Sequence, residues 1–198
     1  MFRFLVFAIA GWSGFFVMAI ELLSGRILAP NFGSSIYVWG GVITIFMLAL
    51  SIGYLLGGRL STRAPSLRKL AVMLGLAALA TLPVAIAGDS ALDRIFELVR
   101  DPRYGSLLSS TLLFFVPTVV SGMVSPYAVR LLVQETRLSG RNAGQLYFVS
   151  TFGSAAGTIS TAFYLVLYLE INQIIWTLAM ISAILAAIGI GWKPRNAF

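Results

Sequence analysis

The stretch FLVFAIAGWSGFFVMAIELL, residues 4–23, decides the fold class. One charge, that of Glu21, interrupts an otherwise uncharged run. A helix rising about 1.5 Å per residue needs about 20 apolar residues to cross a bilayer's hydrocarbon core. Residues 4–10 could also form a signal-peptide core. No small-residue cleavage site and polar mature region follow, so an uncleaved first span is expected.

Working outward, comparable apolar runs cover 36–56, 70–87, 107–124, 143–167 and 171–191. The sequence therefore predicts an all-α membrane protein, one transmembrane domain with a bundle of six helices. Composition agrees. The 198 residues are 59% hydrophobic and 11% charged, with mean hydropathy +0.92. A soluble domain carries about 45–50% apolar and about 25% charged residues, so a soluble enzyme is excluded. Cysteine and histidine are both absent. Disulfides, thiol catalysis, Cys/His zinc sites and a histidine base are excluded with them. No cofactor or metal is expected.

Residues 89–104 differ from the spans. They mix acids and arginines with Leu92, Ile95, Phe96 and Val99 at helical spacing. An amphipathic helix on the outer membrane surface fits this pattern, and so does a solvated loop helix.

With six spans, both termini share a side. That side carries Arg3, then Arg59, Arg63, Arg68 and Lys69, then Arg130, Arg137 and Arg141, then Lys193 and Arg195. The other side carries Arg26, Arg94, Arg100 and Arg103, three of them among acids. Basic residues concentrate on cytoplasmic loops, so both termini are expected in the cytoplasm. The net charge of +7 then needs no nucleic-acid partner, because anionic lipid headgroups suffice.

Glu21 is the only acid inside an expected span. It either binds a cationic group or proton, or pairs with Arg26 or nearby backbone. The first outer loop, 21–39, holds the helix breakers Pro30 and Gly33 and the aromatics Tyr37 and Trp39. The aromatics suit an interfacial belt or the wall of a pocket. Gly53 and Gly57 on the second span, and Gly153 and Gly157 on the fifth, are spaced for close helix packing. Ser150, Ser154, Thr158 and Thr161 add a small polar stripe, which packs helices or lines a path. Pro117 and Pro126 bracket Ser121 and Gly122, predicting a kinked or broken fourth helix. The loop around Arg59 and Arg63 loosely resembles the second-to-third-helix loop of major facilitator transporters, without that loop's acid.

Three stretches taken together resemble the membrane domain of the bacterial fused MFS/spermidine synthase family. They are 21–40, 117–130 (PTVVSGMVSPYAVR) and 140–158 (GRNAGQLYFVSTFGSAAGT). In such proteins the membrane helices precede a cytoplasmic, Rossmann-type synthase-like domain that would bind an S-adenosylmethionine-type cofactor. This sequence stops at Phe198, where that domain would begin, and the seven residues after Gly191 are too few for a core. The resemblance implies a non-catalytic bacterial inner-membrane subunit, partnered by a separate soluble synthase-like protein. The alternatives are a polyamine-like transporter acting as a homodimer, and an accessory subunit of a larger membrane complex. A substrate pocket would draw on Glu21, Arg26, Tyr37 and Trp39 from the outer side. On the inner side it would draw on Tyr127, Arg130 and Tyr147, with Arg59 and Arg63 facing the partner.

Overall fold

The computed structural model describes residues 1–133 and 139–192, and every regular element among them is a helix. The expected basic residues Arg137, Lys193 and Arg195 lie outside the described residues. In order come α1 (Phe2–Phe32), α2 (Ile36–Leu60), α3 (Leu67–Leu98), α4 (Pro102–Gly122) and α5 (Val124–Leu132). After them come α6 (Ser139–Ser160), a π-helical turn (Thr161–Leu165), α7 (Val166–Tyr168) and α8 (Ile171–Gly191). Among the described residues, five helical segments are long and apolar enough to cross a membrane: α1, α2, α3, the α4–α5 run and α8. The chain is therefore described as a multi-pass, all-helical membrane protein. Helices suit that setting because they satisfy their backbone groups internally.

Three sequence expectations are redrawn. The loop over 21–39 shrinks to Gly33–Ser35, because α1 continues through Pro30. Pro30 lacks the N–H that would bond the Arg26 carbonyl, but burial of Ile27, Leu28 and Phe32 on the same turns offsets that loss. Gly33, at φ 76°, ends the helix and donates its N–H to Ala29 O at 2.9 Å.

The segment 89–104 is not a separate surface helix. Its first ten residues extend α3 to Leu98, and α4 begins at Pro102. Leu92 and Ile95 are buried, and Phe96 meets the Phe32 ring edge-on at 5.6 Å. Asn31 Nδ2 donates to Asp93 Oδ1 at 3.1 Å. The apolar stripe thus packs on the end of α1 instead of facing lipid.

The expected span 143–167 is the one missing from the five apolar segments. Glycine, serine and threonine dilute its hydropathy, and the helix loosens into a π turn at Thr161.

Side-chain size sets how these helices pair. A Cβ on Gly153 would land on the backbone of Gly11, and one on Gly157 on the backbone of Phe15. Higher numbers on α6 face higher numbers on α1, so the two helices are parallel and in backbone contact. Gly53 and Gly57 of α2 likewise abut the backbone at Val119–Met123. α8 runs antiparallel to α3, with Gly189 against Ala71 and Gly75 against Ala186.

The core has two storeys. Near the N-terminal end, Leu5, Val6 and Ile9 pack with Leu70, Leu74, Val124, Tyr127 and Leu146. Toward the opposite end, Phe16, Ile20 and Leu23 pack with Phe46, Leu92, Phe114, Ile174 and Leu178. Two hydrogen bonds cross the waist between them. Trp12 Nε1 donates to Ser182 Oγ at 2.8 Å, and Ser13 Oγ donates to Ser121 O at 3.3 Å.

Candidate functional site

The two ends of the bundle differ in charge. The end holding the N-terminus carries Arg3, Arg59, Arg63, Arg68, Lys69, Arg130 and Arg141, and no acid among the described residues. Glu135 falls within 134–138, outside those residues. The opposite end mixes Arg26, Arg94, Arg100 and Arg103 with Asp89, Asp93, Glu97, Asp101 and Glu170.

Helix ends build the basic surface. Arg3 Nη2 donates to Asn142 Oδ1 at 3.0 Å, and Asn142 Nδ2 donates to Leu132 O at 3.1 Å. These bonds gather the starts of α1 and α6 and the end of α5. The α2–α3 connection is pinned twice. The Ser66 N–H donates to Tyr127 Oη at 3.0 Å, while Lys69 Nζ donates to Arg63 O at 2.8 Å and Ala64 O at 3.1 Å. Tyr127, expected in a pocket, is wholly buried and holds this connection in place. Arg59 and Arg63 are exposed and line a groove of about 550 Å³ with Leu56, Leu60, Thr62 and Met123. Arg130 is exposed at a separate notch of about 370 Å³ between α5 and α6.

Tyr147 lines a third cleft, of about 330 Å³, with Tyr54, Ser125, Ser150, Thr151 and Ser154. Ser154 Oγ donates to Ser150 O at 3.2 Å. Sequence spacing marked the α6 hydroxyls, but Tyr54 and Ser125 arrive from other helices and carried no such signal.

On the opposite end the four expected residues do not converge. Arg26 lines a cavity of about 330 Å³ with Pro30, Asp89, Glu170 and Asn172. Asp89, Glu170 and Asn172 were not anticipated as its neighbours, because they come from α3 and the start of α8. Glu170 also caps α8, accepting from the backbone of Gln173 while its own N–H donates to Gln173 Oε1. Glu21 is half-buried, five residues before Arg26 on α1, and its carboxylate makes no ion pair with Arg26. The Glu21 carbonyl accepts from Ser24 Oγ at 2.6 Å. Tyr37 is exposed beneath the Arg103 guanidinium, which sits 4.6 Å from the ring centre. The Trp39 indole packs over Gly25, where a Cβ would lie 2.5 Å from the ring. Both aromatics thus fasten α2, one to the start of α4 and the other to α1.

Among the described residues, no group of three or more acids is placed to hold a metal ion. The richest chemistry lies in the separation of charge: an end that carries only basic charges among the described residues, and a far-end cavity lined by one guanidinium and two carboxylates that form no ion pair. No protein-family model, curated protein or solved structure matches this chain.

Proposed function

We propose that the chain is a six-crossing subunit of a bacterial inner membrane, with both termini cytoplasmic. On this reading it docks a separate soluble protein of spermidine-synthase-like type. The observation that carries the proposal is the basic end, where no described acid offsets Arg59, Arg63, Arg68, Arg130 and Arg141. A surface of one sign steers and holds an acidic partner. The sixth crossing is supported by α6, whose first turn is bonded to Arg3 and which runs parallel to α1, while Val166 and Leu169 line the Arg26 cavity. The excess of basic residues at one end supports the orientation. The likeness of 21–40, 117–130 and 140–158 to the fused family supports the partner's identity.

Affinity purification in mild detergent, followed by mass spectrometry, tests the proposal. A synthase-like protein should co-purify at low salt. It should be released as ionic strength rises and be lost in an Arg68→Glu/Arg130→Glu variant. Recovery of the chain alone at low salt would overturn the proposal.

Asp89 and Glu170 in the far-end cavity favour a second reading, a transporter for polyamine-like cations. Equal flux in empty, native and Asp89→Asn liposomes would remove it.

A further inference from the structure

We propose that the groove holding Arg59 and Arg63 is a binding site for the phosphate of an anionic phospholipid, whose acyl chains run down α2. The inference does not depend on the docked protein.

The end of α2 carries it. Arg59 stands in the last turn of α2 and Arg63 in the connection just past its end, and both line the same groove. Neither guanidinium has a partner among the described residues. Leu56 and Met123 continue the same groove toward the middle of the bundle, and Leu60 walls it at the level of the arginines. Cations thus sit above and hydrocarbon below, within one groove of about 550 Å³. A free anion would use only the upper half, and a neutral lipid only the lower. An anionic phospholipid uses both.

Three further observations agree. α2 is an edge helix, with Ile52, Leu55, Leu56 and Leu60 exposed, so the groove opens to lipid. No acid among the described residues of this end competes for the guanidiniums. The backbone at Arg63 is already fixed by Lys69 Nζ, which donates to the carbonyls of Arg63 and Ala64. The charged rim is therefore preorganised, and forked guanidinium groups match phosphate oxygens in pairs.

The test is native mass spectrometry of the intact chain in mild detergent. Phosphatidylglycerol and phosphatidylcholine are titrated in parallel. Arg59→Gln/Arg63→Gln should weaken phosphatidylglycerol binding about thirtyfold, from two cations near an anionic headgroup. Arg68→Gln/Arg141→Gln, on the same end but outside the groove, should leave it within about twofold. Inorganic phosphate at millimolar concentration should not displace the lipid, because it cannot fill the apolar half.

Equal loss in both double variants would mean diffuse surface attraction and overturn the site. So would equal retention in all proteins, or displacement by phosphate alone. If the glutamine pair fails to fold, Arg59→Lys/Arg63→Lys decides. It keeps the charge and loses the fork, so binding should fall by a smaller factor, and unchanged binding would count against a phosphate clamp. Loss of the soluble partner with lipid retained would fault the docking proposal only.

Discussion

Replacing Gly153 by Ala puts the α1–α6 contact to the test. The added Cβ would sit on the carbonyl oxygen of Gly11, 2.8 Å from that residue's carbonyl carbon and 3.1 Å from its Cα. All three are backbone atoms, so no rotamer change relieves the clash. Ordinary contact begins near 3.4 Å, so relieving the overlap with the carbonyl oxygen needs the two helices to part by roughly an ångström. A gap of that size forfeits about half of each atom pair's attraction along the seam. Overpacking of this kind costs about 1–3 kcal/mol, and the better helix propensity of Ala returns up to about 1 kcal/mol. The expected net loss is about 1–2 kcal/mol, roughly a five- to thirtyfold change in the folding equilibrium. Reversible unfolding in mixed micelles of a mild detergent and dodecyl sulfate, followed by tryptophan fluorescence, would measure it. Gly144→Ala is the control, since nothing lies within 4 Å of a Cβ there, and with only the propensity term acting it should raise stability by up to about 1 kcal/mol. Equal midpoints for the two variants would refute backbone contact between α1 and α6.

Three other outcomes follow from the same geometry. Tyr127→Phe removes the acceptor of the half-buried Ser66 N–H and should cost about 1–1.5 kcal/mol in the micelle assay. Tyr147→Phe, with no bond to lose, should cost less than about 0.5 kcal/mol, so equal effects would contradict the assignment. Ser182→Ala strands the Trp12 Nε1–H; about 1–3 kcal/mol should be lost together with a shifted tryptophan spectrum, and an unaltered spectrum would count against the bond. Because the chain has no cysteine, single cysteines report sidedness cleanly. Gly140→Cys and Tyr168→Cys should react with an impermeant maleimide from opposite sides of sealed vesicles, and labelling from one side would deny that α6 crosses.

The sequence made the long apolar helices plain, because a run such as 4–23 has few other uses in a chain this poor in charge. It misled where local signals and tertiary contacts disagree. Pro30 reads as a breaker, yet the burial of Leu28 and Phe32 carries α1 past it. The amphipathic pattern of 89–104 was visible, but a pattern shows that an apolar face exists and not what covers it. Here the cover is Phe32 at the end of α1. Gly153 and Gly157 were legible as small residues, whereas the helix they meet could not be read from spacing. The candidate site was the least legible part. Tyr127, chosen for its position, holds a connection together, while Asp89 and Tyr54 join their cavities only because distant helices meet.

The parallel pairing of α1 with α6 also sets a schedule for biogenesis. α1 ends at Phe32 and α6 starts at Ser139, so roughly a hundred residues must be made between them. At about 5–20 residues per second that is roughly 5–20 s. For those seconds the Gly11–Gly14 face of α1 sits in the bilayer without the backbone it is shaped to meet. The ribosome therefore delivers an incomplete seam first, and the last third of the chain closes it. During that interval the nascent α1 is a surface on which an insertion factor, or the wrong helix, could act.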